Sequence, residues 1–179
     1  MSRPDDELTG LANLKTAMAT AEMWRNESSF QGAEVGCIAV DLDHFKEFNN
    51  ALGHVVGDVV LIQIAVRISN AFQNGEIISI SADVFYIFIP DVRSENQIEE
   101  MVAFLYRLLD APIEIPDLTL PYERDSYPYD LNPVIDEHTV RVRVNIGYAV
   151  TKRGDAPGDC LFRAEESLNE AKLSERNQE

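Results

Sequence analysis

Apolar residues recur at three- and four-residue intervals over Leu11, Leu14, Met18, Ala21 and Trp24, which predicts a helix with one apolar stripe, ended by the polar stretch 28–32. The next apolar block, Val35-Gly36-Cys37-Ile38-Ala39-Val40, is short, unbroken and rich in β-branched residues. That pattern predicts a central strand covered on both faces. Residues 49–58 (NNALGHVVGD) read as a loop punctuated by Gly53 and Gly57. From Asp58 a helix is expected, with Leu61, Ile64, Ala65, Ile68 and Phe72 on one face. Two apolar runs, 76–80 and 84–89, then flank the polar break Ser81-Ala82-Asp83, the pattern of a buried hairpin. Its turn is unusual. Tight hairpin turns favour Gly, Asn or Asp at positive φ, and only Asp83 answers that description.

Residues 94–109 carry Ile98, Met101, Val102, Leu105, Leu108 and Leu109 at helical spacing. The rhythm breaks over 110–137, where Pro112, Pro116, Pro121, Pro128 and Pro133 are interleaved with Tyr122, Tyr127 and Tyr129. Proline at this density forbids a long helix or a central strand, so an extended insertion with at most a small hairpin is expected. Val140, Val142, Val144 and Ile146 alternate with Arg141, Arg143 and Asn145, predicting a half-exposed strand to about Val150. A last helix is expected over 159–173 on Leu161, Ala164, Leu168 and Ala171. With the first helix set aside, the order is β-α-β-β-α-β. This is an α+β chain with a ferredoxin-like core, an N-terminal helix, an extra C-terminal strand or helix and a Pro/Tyr-rich insertion.

Composition narrows the picture. A chain of 179 residues is expected to form a single domain, 1–179. The net charge of −16 argues against a nucleic-acid surface or an anionic membrane as partner, while leaving room for one small phosphate ligand met by a few cations. No apolar run approaches the roughly 18 residues of a membrane span, and the first ten residues lack the apolar core of a signal peptide. Cys37 and Cys160 are expected to be buried thiols in a cytoplasmic protein.

The candidate chemistry is acidic. Asp41 and Asp43 follow a central strand, the usual ligand position in open α/β sheets, and suit a hard cation. Asp43 can equally N-cap a short helix, Asp58 can be the N-cap of the next one, and His54 alone is a common loop residue. Asp83 stands at the hairpin tip.

Several spaced motifs in order resemble the GGDEF domains of diguanylate cyclases, whose core is related to polymerase and nucleotidyl-cyclase palms. Asp6 to Asn13 (DELTGLAN) is similar to DxLTGLxN, and Asp41 to Lys46 with Asn49, Gly53-His54 and Gly57-Asp58 is similar to DIDxFKxxND…GHxxGD. Asn145 to Ala149 resembles SIGxA. Arg163-Ala164-Glu165, Ala171-Lys172 and Arg176-Asn177 resemble RADxALYxAKxxGRN. The resemblance implies condensation of two GTP, each held with Mg²⁺ by one of two facing domains, to cyclic di-GMP. It implies metal ligation by Asp41, the Leu42 carbonyl and Asp83. It assigns guanine contacts to Asn49 and Asp58, and phosphate contacts to Lys46, Lys172 and Arg176.

The signature itself departs from the family. Ser81-Ala82-Asp83-Val84-Phe85 stands where GGDEF is expected, so two glycines gain a Cβ and the acidic fourth residue becomes Val84. Asn50 replaces an Asp, Ser79 an Arg, and Leu14 the Arg after LTGLxN. Phe72 and Gly75 stand at the positions of the RxxD product-inhibition site. The expectation is a degenerate, catalytically inactive domain serving as a regulatory or interaction module that binds GTP, with Mg²⁺ only when GTP is bound. The alternatives are a weak cyclase and a protein adaptor without nucleotide. The insertion 110–137 is expected to dock a protein partner, and a homodimer is the assembly the family's reaction implies.

Overall fold

The computed structural model describes residues 6–26, 34–74, 76–115, 134–136, 138–152 and 155–176, with the side chains of 134–136 and 175–176 outside the description. Strand β1 (Ala12–Asn13) leads into helix α1 (Leu14–Asn26). Strand β2 (Glu34–Leu42) is followed by α2 (Phe45–Leu52) and α3 (His54–Ala71). The hairpin is β3 (Ile77–Ser81) and β4 (Val84–Val92), followed by α4 (Glu95–Leu109). Short strands β5 (Ile113–Glu114), β6 (Val134–Asp136) and β7 (Thr139–Val140) precede β8 (Val144–Val150) and the closing helix α5 (Pro157–Arg176).

The main sheet runs β1-β3-β4-β2-β8, and β5-β7-β6 form a separate small one. Without β1, that order is the split β-α-β-β-α-β arrangement expected from the sequence. β1 adds to the edge, parallel to β3, and the C-terminal addition is the helix α5.

β2 is central, paired antiparallel with β4 on one side and β8 on the other. Its alternating side chains divide the interior in two. Ile38, Val40 and Leu42, with Phe85 and Ile87 of β4, face the helices α2, α3 and α4. Cys37 and Ala39, with Tyr86 and Phe88, face α1 and α5. Both faces are covered, which is why β2 reads as an unbroken apolar run. Helix α5 comes close to the sheet at Gly147, where a Cβ would fall 2.1 Å from the backbone nitrogen of Leu168. Both cysteines are buried free thiols. Burial pushes Cys37 well up and Cys160 to about 12, so neither is a ready thiolate.

Five expectations are corrected. Residues 49–58 are not a loop: α2 runs to Leu52 and α3 starts at His54, with Gly53 alone between them. Asp58 therefore lies inside α3 and does not cap it, and the α2 cap position is His44, not Asp43. The strand expected from Val140 to Val150 is split, with Thr139–Val140 in the small sheet and Val144–Val150 in the main one. Asn145, expected on an exposed face, is buried because α5 covers that face. By length and composition α3 could also cross a membrane, although no single run of apolar residues shows it. Here it buries Val56, Val60, Ile64 and Ile68 in the core.

Of the insertion, residues 116–133 and Glu137 lie outside the described residues. Its roots are held on α3, where Gln63 donates to the Glu114 carbonyl and Arg67 to the carbonyls of Ala111 and Pro112.

Candidate nucleotide site

β2 runs two residues further than the apolar block, so Asp41 is a strand residue and not a loop residue. In register it lies between Val84 of β4 and Asn145 of β8. Directly paired residues share a face of the sheet, so all three point toward the α1/α5 side. Asp41 is 7% exposed, and the Lys172 ammonium of α5 meets its Oδ1 at 2.7 Å. Burial nevertheless holds the Asp41 carboxyl above the ordinary carboxylate range. The bond and charge of Lys172 pull the other way, and the charges of Asp83 and Asp43 push it further up.

The hairpin turn is the pair Ala82-Asp83, since Ser81 and Val84 are already paired. Ala82 adopts φ +57°, the left-handed region where a Cβ is unfavourable by about 1–2 kcal/mol. Ser81 and Ala82 are exposed, whereas Asp83 and Val84 are half-buried. Phe85 points to the opposite face and is fully buried among Ile87 and the helices. The turn is tied to β2 by a long contact from the Leu42 N–H to the Asp83 carbonyl, 3.4 Å. The Leu42 side chain is buried on the α2/α3 face. Asp43 leaves the strand with its N–H on the Arg143 carbonyl at 2.9 Å.

The other half of the site is the α2–α3 contact. Gly53, φ +90° and ψ 153°, makes a corner that only glycine adopts readily. One turn later Gly57 lies against Asn49, whose Oδ1 would be 1.8 Å from a Cβ at that position. Asn49 Oδ1 is buried without a hydrogen-bond partner among the described residues, and Asp58, the neighbour of Gly57, is exposed. Lys46, Asn50 and His54 are exposed too. The structure thus gathers Asp41, Asp43, Asp83 and Lys172 at one end of β2, and sets Asn49 beside Gly57-Asp58 on the helices. The Arg176 side chain and Gly75 lie outside the described residues. Phe72 is buried at the end of α3.

Three polar groups beside the site, Asn145, Ser79 and Tyr86, had no role assigned to them from the sequence. Asn145, opposite Asp41, keeps a buried Oδ1 without a partner among the described residues, and Ser79, three residues before the turn, keeps a buried hydroxyl in the same state. Tyr86 donates its hydroxyl to Glu165 Oε1 at 2.8 Å, and burial with that bond raises its pKa. Polar residues inside otherwise apolar runs were the available signal: Ser79 and Tyr86 in the hairpin, Asn145 in β8.

Whether these groups suit a resident divalent cation can be judged from the donor set. Among the described residues no three His, Cys, Asp or Glu side chains converge on one point, Val84 offers no oxygen, and Lys172 already neutralises Asp41. A hard cation wanting six oxygens is not matched by this set alone.

The family description "Diguanylate cyclase, GGDEF domain" matches residues 5–122. The response regulator PleD of Caulobacter vibrioides is 25% identical over 174 residues, 96% of this chain and 34% of that protein. Diguanylate cyclase DgcN of Escherichia coli is 27% identical over 147 residues, 82% of this chain and 31% of that protein. The chain thus spans about a third of the length of these curated relatives. Among solved structures, the GGDEF domain of DgcB from Caulobacter crescentus, in complex with c-di-GMP, superposes with a TM-score of 0.78 at 20% identity, covering 97% of this chain and 90% of that one. The FimX GGDEF domain from Pseudomonas aeruginosa gives 0.75 at 14% identity, covering 97% and 96%. At such identities the structures share the fold.

Proposed function

This chain belongs to the GGDEF domain family, and we propose from that premise that it is a single, catalytically inactive domain of cyclic di-GMP signalling, which binds guanine nucleotide weakly and acts as a regulatory or interaction module. The observation that carries the proposal is the register of Asp41 with Val84. The side chain beside the buried acid has no lone pair to hold a metal or accept a proton from a hydroxyl. Loss of one electrostatic partner of this kind costs on the order of 3–4 kcal/mol in a barrier, a few hundredfold in rate. The Cβ atoms of Ser81 and Ala82 act separately, at the tip where two glycines would let a nucleotide approach the backbone. Misplacement of a substrate by about 1 Å costs roughly another hundredfold.

The α2–α3 contact supports nucleotide binding. Asn49 holds an oxygen without a partner among the described residues, and Asp58, next in sequence to the Gly57 that Asn49 packs against, an exposed carboxylate, together suited to the donor edge of guanine. Lys46, Lys172 and Arg176 supply cations for phosphates. Magnesium, held by Asp41, the Leu42 carbonyl and Asp83, would come with the triphosphate, whose oxygens complete its shell and whose charge it neutralises. With the turn crowded, a dissociation constant in the micromolar range or weaker is expected, on the order of −8 kcal/mol or less favourable. The insertion 110–137 is assigned to partner docking, because Tyr and Pro provide contact area at low ordering cost.

Titration with GTP and Mg²⁺, followed by chromatography of the mixture, tests this reading. Saturable binding that weakens with ATP or with Asp58→Ala, without cyclic product, supports it. Product above an Asp41→Ala/Asp83→Ala control would make the chain a weak cyclase. Absence of binding would make it an adaptor.

A further inference from the structure

We propose that Lys172 is the resident cation of the acidic pocket around Asp41, taking the place a divalent ion would fill, so that the nucleotide-free domain binds no such ion there. The proposal rests on the reading of this pocket as the nucleotide-facing end of the domain, and it concerns the state before nucleotide arrives.

Three independent observations carry it. The first is the bond itself: Nζ of Lys172 lies 2.7 Å from Asp41 Oδ1, with the acid side chain 11% exposed and the lysine side chain 29%. The lysine therefore reaches in from α5 with its head on the acid, and α5 is seated close on the sheet at Gly147, whose added Cβ would meet the Leu168 backbone. The second is the local charge. Asp43 and Asp83 both act on Asp41, in a chain of net charge −16, so this end of β2 collects negative potential and draws in a counter-charge. The third is Asn145. It is 2% exposed, stands directly across from Asp41 on the same face, and holds an oxygen with no partner among the described residues. A carboxylate, a second carboxylate at the turn and an unused amide oxygen are hard donors, and the cation that meets Asp41 belongs to the protein.

A tethered ammonium and a free divalent ion compete for the same carboxylate. The tether gives the lysine a high effective concentration, while Val84 denies the ion one of the oxygens it would need to displace it. Removing the ammonium should therefore expose a divalent site made of Asp41, Asp83 and Asn145.

The test uses nucleotide-free protein and Mn²⁺ as probe, with bound metal followed by electron paramagnetic resonance. Wild type, Lys172→Met and Lys172→Met/Asp41→Asn are compared. Lys172→Met should bind one Mn²⁺ at least tenfold more tightly than wild type, and the double variant should return to the wild-type level. Equal binding by wild type and Lys172→Met, whether strong or absent, overturns the proposal. If Lys172→Met fails to fold, NMR of the wild-type lysine ammonium groups decides. A Lys172 signal that moves in Asp41→Asn and stays in place on adding millimolar Mg²⁺ supports the proposal, and one displaced by Mg²⁺ overturns it. Because no nucleotide is present, these outcomes are separate from those of the function: cyclic product from GTP contradicts catalytic inactivity, whereas Mn²⁺ binding by wild type contradicts the lysine's role.

Discussion

The α2–α3 corner and the β3–β4 turn place similar demands on the backbone and meet them with opposite residues. At the corner, Gly53 sits at φ +90° and Gly57 leaves the space that Asn49 fills. Glycine is needed twice and is present twice. At the turn, Ala82 sits at φ +57°, where glycine would be relaxed, and Val84 stands beside Asp41 where an acid would extend the polar site. The corner is thus kept in the geometry it requires, while the turn carries both strain and an apolar side chain beside Asp41. That contrast is what the proposed binding module with its chemistry removed would present: the pocket's shape would persist where it also holds the core together, and erode where it served only a reaction.

Mirror-image substitutions would sharpen the contrast. Gly53→Ala forces a Cβ into a region of φ and ψ that only glycine tolerates, and should destabilise the domain by about 2 kcal/mol in denaturant unfolding. Ala82→Gly should do the reverse. Relief of the left-handed alanine exceeds the added freedom of the unfolded chain, for a net gain of roughly 0.5–1 kcal/mol. Equal signs for the two changes would show that the corner and the turn do not differ as described.

The smallest effect concerns Asp41. Its pKa is raised chiefly by burial, so the folded chain holds that proton more tightly than the unfolded chain does. Its stabilising contribution is therefore present at low pH and lost as pH rises from the ordinary carboxylate value of about 4 through the raised one. Asp41→Asn should equal or exceed wild type in melting temperature at pH 7, with the advantage shrinking as pH falls toward 4. Lys172, partly exposed, stays hydrated in that variant. If Asp41→Asn is instead less stable than wild type at pH 7 and recovers toward pH 4, the ion pair outweighs the burial cost and the electrostatic account is wrong.

Much of the fold was legible in the sequence because its central strands are covered on both faces. The apolar runs of β2 and the hairpin, and the three- and four-residue spacing in α4 and α5, report that burial directly. The errors came from residues whose packing role differs from their local habit. Gly53 and Gly57 look like loop punctuation. Only Gly53 breaks a helix, and Gly57 is there because Asn49 needs its space. The run Val140, Val142, Val144 keeps one alternation while the chain passes from the small sheet into the large one, because all three bury toward the same core. β1 has two residues and no periodicity to read. At the site, the acids Asp41 and Asp83 were visible as polar breaks beside apolar runs. The partnership of Asp41 with Lys172 was not, since it joins a central strand to the last helix and depends on how closely α5 approaches the sheet.

The central claim is that the chemistry was lost at the turn and at Val84 together, and one comparison tests it. Wild type, Val84→Glu and Ser81→Gly/Ala82→Gly/Val84→Glu, each artificially dimerised so that two domains face each other, are incubated with GTP and Mg²⁺ and assayed for cyclic di-GMP by chromatography. Restoring the acid alone places a carboxylate beside Asp41 without restoring the approach of the nucleotide, and groups that act as a unit do not recover singly. The account predicts no product from wild type, none or traces from Val84→Glu, and measurable product only from the triple variant. Turnover by wild type above an Asp41→Ala/Asp83→Ala control would contradict it.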